Sequence, residues 1–406
     1  MHVIFVAPHF PANQKQFVKA LKEVGAKVTG IGESPAGFLP DSIKQCLDDY
    51  EQVNSVCDDQ AMVDAVKRIQ GKGWVDRLEA TVEAHMLTAA RCREARGIPG
   101  LTMEQTVLCR DKTVMKAFMR KHGIPCAQSA SASSPDEVAA FGRKVGYPII
   151  LKPRGGAGAA ATWRVNSEAE LGPALQDTGV AQGHSIAVEE FIEGHEGFYD
   201  TLTVRGKPTH EFISHYYPGV LEAMRTRWIS PVIITTNRLD AEGYDELKSL
   251  GRMVIDKLAL HTAPTHMEWF FGPKGLKFSE IGARPPGVGQ WDLYCAANDI
   301  NIYKEWAHSI VHGVAPGRLS RNYSAAIINL RPERDGQITG YSGMETIQRK
   351  YGKWIIKSHF PQPGSPTQPI EAGYMANAWI QIKYPDYDDL RAILEDIGRT
   401  LKVHAA

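Results

Sequence analysis

The sequence predicts a multidomain protein of mixed α/β and α+β class. Three observations carry that expectation: strand and helix alternate through the first hundred residues, a glycine- and alanine-rich run separates two strands near residue 155, and an acidic hairpin turns near residue 274. At 406 residues the chain is too long for one ordinary core, so two or three domains are expected. Its 46 basic and 46 acidic residues cancel. Such balance leaves no overall footprint for nucleic acid or an anionic membrane, and neither is expected as a partner. The cysteines at positions 46, 57, 92, 109, 126 and 295 form neither close CxxC pairs nor a dense disulfide framework, and read as reduced thiols of a cytoplasmic protein. No apolar run of about 18 residues occurs, so no transmembrane helix is expected.

The elements follow in order. Met1-His2-Val3-Ile4-Phe5-Val6-Ala7-Pro8 lacks a basic leader and a small-residue cleavage site, and reads as a buried strand over 2–7 instead of a signal peptide. A helix over 15–24, a strand over 27–32 and a helix over 59–70 complete the alternation of an open parallel sheet. The first turn, Pro8-His9-Phe10-Pro11-Ala12-Asn13, has no GxGxxG fingerprint. This lobe is therefore expected to wall a substrate site, not to bind its own dinucleotide. A second unit begins near 105 with a helix over 108–122 that stops at Gly123, then a strand over 147–152 that ends on Lys152. Pro153-Arg154-Gly155-Gly156-Ala157-Gly158-Ala159-Ala160-Ala161-Thr162 follows, and a strand over 163–165. Such a run lets backbone amides approach a bulky anion without side chains intervening. Residues 185–192 read as a strand that turns at Glu193-Gly194-His195-Glu196. From about 319 the chain reads as a small α+β lid, with strands over 324–330 and 378–383 and a helix over 387–401.

The hairpin carries the chemistry. With Gly272-Pro273-Lys274-Gly275 as the turn and Lys274 as its centre, Glu268 falls opposite Glu280. Like charges about 5 Å apart across strands repel unless a cation or shared proton resolves them. Oxygen ligands without His or Cys at chelating spacing point to Mg²⁺ or Mn²⁺. Lys112 opens a helix, and Lys152 ends an apolar strand where it needs an anionic partner or solvent. Backbone groups at the end of the 185–192 strand suit the edge of a purine, and Glu196 suits ribose hydroxyls. Arg284, four residues beyond Glu280, is placed to hold a phosphoryl oxygen or an oxyanion, or else simply neutralises the two acids. Arg225 and Arg227, in Arg225-Thr226-Arg227-Trp228, are candidate ligands for a substrate carboxylate, with Trp228 as an apolar wall.

In this order the motifs resemble the ATP-grasp superfamily. The resemblance covers residues 106–318, with 1–105 as a Rossmann-like α/β lobe before it and 319–406 as a C-terminal α+β lid. It implies an ATP-grasp fold. Carried over by position, it implies phosphate binding by Lys112, Lys152 and the loop glycines Gly155, Gly156 and Gly158. Glu189, Phe191 and Ile192 would take adenine, Glu196 ribose, and Glu268 and Glu280 Mg²⁺ or Mn²⁺, with Arg284 and Lys152 in catalytic roles. Two departures stand out: the family usually has Asn where this chain has Gly282, and many relatives carry a hydroxyl residue at Ala159. Arg284-Pro285-Pro286-Gly287-Val288-Gly289 lacks the RIQVEH pattern of the biotin carboxylase branch and looks like the tight loop of carboxylate-amine ligases. The implied activity is ADP-forming, ATP-dependent joining of a small carboxylate to an amine through an acylphosphate. A carboxyphosphate-using enzyme, a nucleotide-binding regulator with an impaired metal site, and a homodimeric state remain open.

Overall fold

The computed structural model describes residues 1–155, 161–227 and 229–406, with Glu371 described by its backbone alone. Gly156, Gly158, Ala159 and Trp228 lie outside the described residues.

The first lobe is a four-stranded parallel sheet of His2–Val6, Lys27–Gly32, Asp49–Gln52 and Arg77–Glu79, with His2–Val6 between Lys27–Gly32 and Arg77–Glu79. His2–Val6 is buried along its whole length, as its near-continuous apolar run requires of a strand covered on both faces. The helix Gln14–Glu23 sends Phe17 out of the lobe onto Trp306, edge to face at 5.1 Å, and onto Trp291 at 5.0 Å. One hydrophobic core thus joins the lobe to the helices Gln290–Asn298 and Ile302–Val311. Burial of these aromatic rings fixes the lobe against the site described below.

The single helix expected over 108–122 is two, Met103–Leu108 and Lys112–Lys121. Asp111 breaks it. Its carboxylate accepts from the Thr113 and Val114 amides at 3.0 and 3.1 Å, capping the second helix and leaving Lys112 as its first residue. Beside it, Ser129–Ala132, Ile149–Pro153, Trp163–Val165 and Ile186–Glu190 form a four-stranded antiparallel sheet in which Ile150 faces Glu189 and Lys152 faces Ala187.

The largest sheet has eight strands in the order Gly275–Gly282, Ala263–Gly272, His195–Val204, Lys207–Tyr217, Val232–Thr235, Ser324–Leu330, Ala378–Tyr384 and Ile355–His359. It runs across the boundary expected at 318/319: the last section adds three strands to this sheet and also forms a two-stranded antiparallel sheet of Ile338–Ser342 and Lys402–Ala405. The helix Tyr387–Thr400 covers it, capped by Asp386. His195 and Glu196, expected in a turn, begin a strand. Gly194 alone makes the turn, at φ 154°, with its α-carbon so near the hairpin that a Cβ would lie 2.5 Å from the Phe271 carbonyl oxygen. Only glycine fits that approach.

Candidate active site

The hairpin brings Glu268 opposite Glu280. Its turn is Pro273-Lys274, flanked by paired Gly272 and Gly275, so the centre lies between Pro273 and Lys274 and not on Lys274. Continued regularly, that register would set Ser279 against Glu268. A β-bulge between Trp269 and Glu268 shifts the pairing by one and supplies Glu280 instead.

The two carboxyls differ in environment. Burial drives the Glu268 carboxyl upward, and the charge of Glu280 adds to it. Desolvation would raise the half-buried Glu280 as well, yet Lys112 and Lys152 hold it down at about 2. Their ammonium groups lie 3.2 and 3.8 Å from its Oε2. His266, two residues before Glu268 and so on the same strand face, has Nε2 3.8 Å from Glu268 Oε1 and Nδ1 2.8 Å from Asp200 Oδ1. Tyr294 donates to the other Asp200 oxygen at 2.5 Å. Burial works against the imidazolium, but Asp200 outweighs it and raises His266.

No three His, Cys, Asp or Glu side chains among the described residues converge on a point that would hold a metal. The donor set fits a hard cation shared with a bound anion: Mg²⁺ is commonly held by one or two carboxylates plus phosphate oxygens and water. Ionised Glu280 opposite a Glu268 that resists ionisation is the arrangement a cation would relieve.

Lys152 also lies 3.0 Å from Glu189 Oε2, and the same oxygen accepts from Lys116. Lys116 is 1 % exposed and Glu189 4 % exposed. Burial brings the Lys116 ammonium down to about 8 although Glu189 opposes the fall, while the two lysines hold Glu189 below the usual carboxylate range against its burial. Lys152 is raised, because Glu189 and Glu280 outweigh its desolvation. Glu189 Oε1 has no hydrogen-bond partner among the described residues. Lys116 escaped the sequence reading; its signal was its place four residues beyond Lys112, on the same helix face.

These groups open on a cavity of about 520 Å³ whose walls include Lys112, Ile150, Lys152, Phe191, Ile192, Glu196, Arg225, Glu268 and Glu280. Arg164 lies over the Phe191 ring at 4.2 Å. The Phe191 amide donates to the Pro148 carbonyl at 3.2 Å, so any donor to a purine edge at this hinge falls to Ile192. Glu196 faces the acids. It accepts from the Val220 amide at 2.6 Å, and burial together with Glu268 pushes its carboxyl to about 8. Gly155 lies against Arg110, where a Cβ would come 3.7 Å from Nη2.

The two substrate arginines part company. Arg225 lines the cavity and donates to the Thr162 carbonyl at 2.7 Å. Arg227 turns away to Asp335 at 2.6 Å, a stronger claim on a guanidinium than open solvent, and is withdrawn as a candidate. Arg284 lies outside the large cavity and lines a narrow void with Lys112, His266 and Glu280, where it pairs with Glu83 of the first lobe.

Two lysines and an acidic hairpin thus meet around one cavity beside the four-stranded sheet. Residues 117–299 match the ATP-grasp domain. The chain is 28 % identical over 243 residues to the L-arginine-specific L-amino acid ligase of Bacillus subtilis, an alignment spanning 58 % of each chain. Among solved structures, the L-amino acid ligase from Bacillus licheniformis superposes with a TM-score of 0.77 at 18 % identity, covering 100 % of this chain and 98 % of that one. The phosphoribosylglycinamide synthetase from Anaerococcus prevotii gives 0.72 at 15 %, covering 100 % and 99 %. At these identities the likeness is one of fold.

Proposed function

We propose that the chain is an ADP-forming ligase that joins a small carboxylate, such as an amino acid, to an amine at the expense of ATP. The observation that carries this reading is the convergence of Lys112, Lys152 and the Glu268–Glu280 pair on one cavity floored by a hinge. Glu189, expected at adenine, is instead buried against Lys116 and Lys152 and is not among the residues that wall the cavity, so adenine would be read by the backbone at Ile192. Glu268 and Glu280 would hold Mg²⁺, which when bound offsets the repulsion between two anions brought together for phosphoryl transfer. Lys112 and Lys152 would exchange Glu280 for nucleotide phosphates. Arg284 would hold the oxygen on which negative charge develops as the amine opens the acylphosphate. The six free cysteines support a reducing, cytoplasmic setting, and no helix among the described residues is long and apolar enough to cross a membrane.

The test incubates the protein with ATP, Mg²⁺ and a panel of amino acids and amines, and measures ADP. Release that requires both a carboxylate and an amine is the expected result. Nucleotide binding without turnover under every pairing would sink the ligase reading and leave a regulator.

A further inference from the structure

The void behind the acidic hairpin holds a second arginine. Glu83, between the strand Arg77–Glu79 and the helix Met86–Arg96, spends its two oxygens separately: Oε1 accepts from Arg110 Nη1 and Oε2 from Arg284 Nε. Burial would raise this carboxyl, but Arg284 and then Arg110 hold it below the usual range. A lobe that supplies no cavity-lining residue to the hinge therefore fixes two guanidinium groups beside the reacting centre.

Arg110 is not saturated by this contact. Its Nε is buried and has no hydrogen-bond partner among the described residues. A buried donor without an acceptor loses its water and recovers nothing, which is costly unless a ligand completes it. The surroundings say which kind. Arg110 lines the void of about 20 Å³ that Lys112 and Glu280 also line, and these two residues wall the large cavity as well. A Cβ on Gly155, the first residue of the glycine run, would lie 3.7 Å from Arg110 Nη2. The guanidinium that carries the unused donor thus shares a void with a lysine and a candidate metal carboxylate, and its Nη2 lies toward Gly155. An anionic oxygen is the chemistry that setting accepts.

Resting on the nucleotide reading above, we propose that Arg110 binds an oxygen of the nucleotide's terminal phosphoryl group, and that Glu83 is the positioning residue that holds Arg110 and Arg284 in place for it. A planar guanidinium with a fixed fork suits a phosphoryl group in a way that a lysine does not. The glycine-loop contact favours the phosphoryl end over the substrate carboxylate.

Calorimetry on the full chain with Mg²⁺ and two nucleotides, ADP and the non-hydrolysable imido analogue of ATP, tests this. The wild type is expected to bind both. Arg110→Gln should weaken the ATP analogue by about tenfold or more while leaving ADP within about twofold, the scale of one charge-assisted hydrogen bond. Glu83→Gln should shift the same ratio in the same direction. Arg110→Lys, which keeps the charge and is the safer variant for folding, should still lower the ratio about threefold because it lacks the fork. Parallel losses for the two nucleotides, or an unchanged ratio in both Arg110 variants, overturns the proposal. Failure of the wild type to bind either nucleotide instead overturns the ATP reading on which it stands.

Discussion

Glu268 stands opposite Glu280 because the outer hairpin strand carries one extra residue, Ser279, between Phe278 and Glu280. The consequence is two carboxyls of opposite character on one buried face. Glu280 is committed to Lys112 and Lys152, whereas Glu268 has only His266 at 3.8 Å.

That asymmetry separates two otherwise similar variants. In protein stripped of divalent cations, Glu268→Gln relieves a like-charge pair and should raise stability by about 0.5–1 kcal/mol. Glu280→Gln removes the acceptor of two buried ammonium groups and should lower it by about 1–3 kcal/mol. Both should lose turnover on the order of 100-fold or more, since each removes a ligand for the cation. Thermal melts in chelator and ADP release measure the two effects. Equal stability changes in the two variants would show that the lysines do not single out Glu280.

The buried Lys116–Glu189 pair gives a second prediction. Glu189→Gln leaves buried Lys116 without its carboxylate and should cost about 3–5 kcal/mol, while Lys116→Met leaves Glu189 with Lys152 at 3.0 Å and should cost less. The double variant should cost less than the sum, with a coupling of at least about 1 kcal/mol in urea denaturation. Simple additivity would mean that Lys152 alone satisfies Glu189.

How much of this was legible in the sequence depends on the reach of each interaction. The strand over 27–32 and the hairpin acids announce themselves through local pattern and turn residues. The bulge does not, and the right pair of acids emerged from a turn centre placed half a residue off. Glu-Gly-His-Glu is polar throughout and so reads as a turn, although the strand begins at His195 directly after Gly194. Lys116 was masked by its composition, as a lysine on an amphipathic helix ordinarily faces water. Glu83 and Arg284 are 201 positions apart, and no single sequence reveals a contact of that span.

Glu196 should make stability depend on pH in the ligand-free, chelated protein. Its folded carboxyl titrates at about 8, above the unfolded value of about 4.3 for glutamate. The folded state therefore binds more protons through that window, and stability falls as pH rises across it. The contribution is complete below the unfolded value and is lost through pH 8. Glu196→Gln keeps an acceptor for the Val220 amide without the titration. The melting temperature of the wild type relative to this variant should drop between about pH 5 and pH 9, and a constant difference would show that Glu196 ionises at its ordinary value.

Gly282 occupies the position where the family usually has Asn, and the packing around it gives a reason. Paired with His266 on the face shared by Glu280, it would direct a Cβ to 3.4 Å from Arg284 Cγ, 3.6 Å from Glu83 Oε2 and 3.7 Å from Arg284 Nε. A methyl group fits at those distances, but the amide of asparagine must enter the space of the Glu83–Arg284 pair. Gly282→Asn should therefore displace Arg284 instead of completing the metal shell. The expected result is a loss of turnover of about tenfold or more with Mn²⁺ affinity, read by electron paramagnetic resonance, no tighter than in the wild type. Gly282→Ala should stay within about threefold of wild-type turnover, because the added carbon meets its neighbours at ordinary contact distance. Tighter Mn²⁺ binding together with retained turnover in Gly282→Asn would mean that the glycine is a lost ligand and not room made for Arg284.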